Sequence, residues 1–133
     1  MKLQHKVIFK GYIPPHELES ITQKACIGIT LFIATSNNNK LSLANRFFDY
    51  MQAGVPQLAM NYPEYAVINT QIEVAHLIDT PSETTIAKAL NALLSDEAYY
   101  QKLHQNSLLA KHTYCWENEE QVLLNIYKQL FHD

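Results

Sequence analysis

Between Ile27 and Ile33 only Thr30 carries a polar side chain, and this run narrows the possible folds more than any other. A strand with apolar side chains on both faces must be covered on both, which is the situation of a parallel sheet with helices packed above and below. The sequence that follows agrees. After a polar loop at 35–40, residues 44–53 place Ala44, Phe47, Phe48 and Met51 at i, i+3, i+4 and i+7, the core face of a helix. Gly54 lies just past that helix, where a left-handed residue is favoured, and Pro56 blocks continuation. Residues 56–60 read as the next strand, 63–71 as a short helix or turn, and 74–79 as another strand.

Upstream, residues 6–9 read as a first strand ending at Gly11. Pro14-Pro15 then opens a helix with Leu18, Ile21 and Ala25 facing inward. Beyond residue 80 the pattern is wholly helical: 82–94 capped by Ser82, then 96–114, then 116–131 with a stripe of Val122, Leu123, Ile126 and Leu130. Strands alternating with helices predict an α/β fold, a Rossmann-like parallel sheet of about four strands with flanking helices and a helical C-terminus. With no repeat or linker, residues 1–133 read as a single domain.

Composition removes several functions. A formal net charge of −3 offers no electrostatic footprint for nucleic acid or an anionic membrane. Cys26 and Cys115 lack metal-ligand spacing, and no two of the six histidines pair as zinc ligands do, so no metal is expected. No window approaches the roughly 20 apolar residues of a membrane span. No apolar stretch of a signal peptide follows Met1, so a cytoplasmic location is expected. A hydrolase elbow of the Gly-x-Ser-x-Gly type does not occur. Glu117, Glu119 and Glu120 open a helix, where acidic side chains complement its dipole. Tyr99, Tyr100, Tyr114, Trp116 and Tyr127 read as packing residues.

The junction Leu41-Ser42-Leu43-Ala44-Asn45-Arg46 is where chemistry is expected. In a parallel sheet, ligands sit beyond the carboxyl ends of strands, where the next helix presents free N–H groups and the positive end of its dipole to an anion. Arg46 adds a cation in a first turn that favours cations only when an anion is bound. Asp49 lies four residues after Asn45 on the same face, about 6 Å along the axis. That is roughly the span from a diphosphate to ribose hydroxyls. A solvated helix face carrying Arg46 and Asp49 needs no ligand, and position alone does not separate the two readings.

The run Leu43-Ala44-Asn45-Arg46-Phe47-Phe48-Asp49-Tyr50-Met51-Gln52-Ala53-Gly54-Val55-Pro56 resembles the Asn-Lys-hydrophobic-Phe-Glu-Tyr-Met-Ala-Ala-Gly-x-Pro pattern of group 1 glycosyltransferases of the GT-B fold. Its neighbours are similar in order and spacing. They are Val7-Ile8-Phe9-Lys10-Gly11-Tyr12-Ile13, Ala25-Cys26-Ile27-Gly28-Ile29, Tyr62-Pro63-Glu64 and Tyr114-Cys115-Trp116-Glu117. The resemblance implies the C-terminal, nucleotide-sugar-binding half of a GT-B enzyme, working in polysaccharide biosynthesis without cofactor or metal. Transfer from a nucleotide-diphosphate sugar would retain the anomeric configuration, and the acceptor-binding N-terminal domain would be absent from this chain. Ser42, Leu43 and the backbone of Ala44, Asn45 and Arg46 would surround the diphosphate. Asp49 would hold the ribose, and Gly11, Tyr12 and Ile13 would meet the base. No catalytic residue follows from the resemblance. The chain departs from the family where Leu41 replaces a frequent Glu, and where Asp49 replaces a Glu one methylene longer. The family's leading strand and helix, with their phosphate-binding Arg and Lys, have no counterpart here. A non-catalytic binding or scaffold domain of the same fold is the alternative.

Overall fold

The computed structural model describes residues 5–131. Ten elements follow in order: α1 (Pro15–Thr22), β1 (Gly28–Thr30), α2 (Asn37–Lys40), α3 (Asn45–Gln52), β2 (Gln57–Met60), α4 (Pro63–Gln71), β3 (Ala75–Ile78), α5 (Glu83–Ser95), α6 (Glu97–Ala110) and α7 (Trp116–Phe131). The strands form one parallel sheet in the order β1-β2-β3, with Gly28 opposite Gln57 and Gln57 opposite Ala75. The architecture is that of a Rossmann-like half domain with a helical C-terminus.

The central strand shows why the apolar runs become strands. All four residues of β2 are buried, and alternation sends them to opposite faces. Ala59 joins a core of Phe47, Met51, Tyr65, Ile68 and Val74, beneath α3 and α4. Leu58 and Met60 join Ile78, Ala89, Leu93 and Leu103, beneath α5 and α6. A strand buried on both faces thus forms the middle of a three-layer sandwich. Gln57 is the polar exception. Its Nε2 donates to the Phe47 carbonyl at 3.0 Å and its Oε1 accepts from the Thr30 hydroxyl at 3.4 Å, so a fully buried amide ties α3 to the sheet.

α3 ends as its sequence predicts. Gly54 has φ +69°, its N–H donates to the Met51 carbonyl, and the Val55 N–H reaches back to Tyr50, which together make a Schellman motif. His104 Nδ1 donates to the Gly54 carbonyl at 2.5 Å and fixes this corner against α6. Gly28 is required for a different reason. A Cβ there would lie 2.4 Å from the Tyr50 ring, so α3 approaches β1 through the missing side chain.

Four expectations change. Among the described residues the sheet has three strands, because residues 6–9 find no ladder partner there and Phe9 is 93% exposed; apolar composition alone does not make a strand without a neighbouring edge. β1 is shorter than the 27–33 run, and on this edge strand Ile29 is exposed rather than covered. In α1, Leu18 is 41% exposed and Thr22 is the buried residue. The loop at 35–40 contains the single turn α2, capped by Ser36 Oγ, which accepts the Asn39 N–H.

All residues of α7 are exposed, including the stripe Val122, Leu123, Ile126 and Leu130. Burial of this helix therefore contributes little to the stability of the chain. Leu123→Glu and Ile126→Glu are each expected to change the unfolding free energy by less than about 0.5 kcal/mol, as at ordinary surface positions. Urea melts of the two variants against the wild type check this.

Candidate functional site

The connection between β1 and α3 is held open at the carboxyl end of the sheet by two tyrosines of the α4 region. The Tyr62 hydroxyl accepts the Ala34 N–H at 2.9 Å and donates to the Phe32 carbonyl at 2.9 Å. The Tyr65 hydroxyl accepts the Ala44 N–H at 2.8 Å. Tyr65 is fully buried, edge-on to Phe47 with ring centroids 4.9 Å apart. Two hydroxyls three residues apart therefore fix both ends of the segment that leads into α3. Nothing in the sequence around Tyr65 marks it specifically for this role. The one available signal was a pair of tyrosines at i and i+3 in a turn opened by Pro63, a pattern that packing alone also produces.

Ala44 is the N-cap of α3 and makes no side-chain cap. With its N–H taken by Tyr65, the N–H groups of Asn45 and Arg46 are first-turn donors that find no acceptor among the described residues. Arg46 is exposed and makes no ion pair among the described residues. Ser42 lies just before, its hydroxyl donating to the Asn39 carbonyl at 3.3 Å.

α3 is a ridge between two grooves. Its residues Asn45, Asp49 and Gln52, at i, i+4 and i+7, border both. The smaller groove, about 500 Å³, lies against Pro15, Leu18 and Glu19 of α1. The larger, about 1020 Å³, lies against α4 and the start of α7. Asp49 is an exposed residue with no cation paired to it among the described residues, yet partial loss of water in the groove wall raises its carboxyl above the ordinary 3.8. An unpaired carboxylate in that setting is a ready acceptor for hydroxyl donors.

The expected residues are brought together only in part. Asn45 and Asp49 share the ridge, and Leu43 lines the larger groove. Gly11, Tyr12, Ile13, Ser42, Ala44 and Arg46 line neither groove. Gly11 has φ +68°, a left-handed turn that glycine adopts without strain, and it precedes α1 in the chain. Tyr12 is 87% exposed and Ile13 half-buried. Leu41 is exposed. Among the described residues no group of three His, Cys, Asp or Glu side chains is placed to hold a metal ion, and no helix is long and apolar enough to cross a membrane.

Within one and a half turns, the ridge offers two free N–H groups, a guanidinium and a carboxylate. That set suits a ligand with an anionic group next to vicinal hydroxyls. Residues 1–109 match the family model of the glycosyl transferases group 1. No curated protein and no solved structure matches the chain.

Proposed function

The chain belongs to the group 1 glycosyl transferases, and from that premise we propose that it binds the nucleotide-diphosphate sugar from which a glycosyl group is transferred. The observation that supports this reading is the start of α3, where the unpartnered N–H groups of Asn45 and Arg46 precede the unpaired Asp49 by one turn. The diphosphate would take the helix N-terminus and the Arg46 guanidinium. The ribose hydroxyls would donate to Asp49 from the α1 side, and the turn at Gly11, Tyr12 and Ile13, which precedes α1 in the chain, would meet the base. Transfer would proceed with retention and without metal, in the cytoplasm, with the acceptor-binding surface supplied by residues outside these 133.

A second reading is favoured by one position. Leu41, an exposed apolar residue, stands where the resembled enzymes frequently carry Glu. A scaffold domain that has lost transfer would keep the fold and lose that carboxylate. The test is saturation-transfer NMR of the chain with UDP-glucose, GDP-mannose and ADP-glucose in the presence of EDTA. The donor reading expects saturation on the base and ribose protons of at least one sugar nucleotide, unchanged by the chelator. Absence of transfer to all three, or binding that appears only when magnesium is added, contradicts it.

A further inference from the structure

The larger groove on the α7 side of the ridge has a composition that the donor reading does not use. Its floor is apolar, with Phe48, Val67 and Ile68, and its rim carries Trp116 with 64% of its surface exposed. Two amides face each other across Tyr114, which fixes them in opposite senses. The Tyr114 carbonyl accepts from Gln52 Nε2 at 2.7 Å, leaving Gln52 Oε1 without a protein partner. The Tyr114 hydroxyl donates to Gln71 Oε1 at 2.7 Å, leaving Gln71 Nε2 without one. The wall thus presents an acceptor and a donor beside the largely exposed Trp116. Asp49, Glu117 and Glu119 add acceptors, and no Lys or Arg lines the groove.

This chemistry discriminates between ligands. Three carboxylates with no cation repel a phosphate, so the groove is not a second diphosphate site. A wholly apolar ligand would strip water from the amides and carboxylates without replacing their hydrogen bonds. A pyranose ring meets both demands, since its C–H face lies on an aromatic plane and its hydroxyls both donate and accept. We propose that the groove between α3, α4 and the start of α7 binds a neutral saccharide, stacked on Trp116 and hydrogen-bonded to Gln52 and Gln71. The site lies beyond the donor reading and does not require it. Pre-orientation of both amides by Tyr114 lowers the ordering cost of binding.

Trp116 is the one tryptophan in the chain, so its fluorescence reports on the groove directly. The probes are maltotetraose, cellotetraose, chitotetraose and xylotetraose, with UDP and a Lys-rich amphipathic peptide as comparisons. At least one tetrasaccharide is expected to shift the Trp116 emission and the backbone amides near residues 67–71 and 114–119, with a dissociation constant of about 1–10 mM. Followed by those amides, Trp116→Ala is expected to weaken binding about 10-fold or more. Gln71→Glu, which keeps the Tyr114 contact but removes the donor, should weaken it comparably. Neither variant should alter UDP binding, because neither residue belongs to the proposed donor set of Asn45, Arg46 and Asp49. No response to any tetrasaccharide at about 20 mM overturns the proposal, as does binding that survives Trp116→Ala. Binding of the peptide alone would make the groove a polypeptide surface and equally overturn it. Saccharide binding in the absence of UDP binding would support this site while counting against the donor site, so the two failures are distinguishable.

Discussion

Tyr65→Ala is expected to lower the unfolding free energy by about 3–5 kcal/mol, the usual cost of removing a buried aromatic ring. The ring fills the space between Phe47 and Phe32 in the core beneath α3 and α4. Tyr65→Phe separates that packing from the hydroxyl. It preserves the ring but leaves the Ala44 N–H without its acceptor, at a cost of about 1–3 kcal/mol, toward the lower end because Ala44 is half-buried and water reaches it. The phenylalanine variant should also speed hydrogen exchange at Ala44 while leaving exchange in β2 and β3 nearly unchanged. Urea melts and amide exchange of the two variants measure these effects. Equal stability of the wild type and Tyr65→Phe, with Ala44 exchange unaltered, would remove Tyr65 from its role in holding the start of α3.

Asp49→Ala is expected to weaken nucleoside diphosphate binding about 10- to 100-fold, through loss of charge-assisted hydrogen bonds worth about 1.5–3 kcal/mol. Stability should fall little, since the side chain lies off the Phe47 and Met51 face and makes no ion pair. Asp49→Glu should retain or tighten binding, because it restores the longer reach found in the resembled pattern. The same residue sets a pH dependence. A hydroxyl donor needs the ionised carboxylate, and the raised pKa moves protonation above pH 3.8. Affinity should therefore decline as pH falls toward and through that raised value, and the decline should be absent in Asp49→Ala. The stability effect has its own sign. A carboxyl raised in the folded state is easier to protonate there than in the unfolded chain, so its contribution is full below the unfolded value and is lost as pH rises through the folded one. Calorimetric titration across acid pH, with melts of both variants, tests both parts. Unchanged affinity in Asp49→Ala removes the ribose role.

From α3 to α6 the course of the chain was legible from side-chain pattern. Ala44, Phe47 and Met51 at helical spacing, Gly54 and Pro56 as a stop, and the all-buried 57–60 run each have a local physical cause that the fold satisfies. Residues 6–9 show where that reasoning fails. A strand is a relation between two segments, and composition reports only one of them. The Asn45, Arg46 and Asp49 cluster was legible because helix geometry fixes which residues share a turn. The hydrogen bond from Ala44 to Tyr65 was not, because its partners are 21 residues apart and buried tyrosines have many possible acceptors. The same holds for Gln57, read within an apolar strand and found as a buried tie between Thr30 and Phe47. The apolar stripe of α7 shows the same limit, since helical spacing groups Val122, Leu123, Ile126 and Leu130 on one face but does not say what covers it, and all four are exposed.

Whether the start of α3 binds a nucleotide is decided by an amide-resolved titration with UDP, GDP and ADP. At least one of them is expected to perturb residues 42–49, together with 11–13, with a dissociation constant in the high micromolar to millimolar range, about −4 to −6 kcal/mol. Asn45 and Arg46, whose N–H groups lack protein acceptors, should move most. Spectra in which all three nucleotides leave residues 11–13 and 42–49 unmoved at saturating concentration would contradict it.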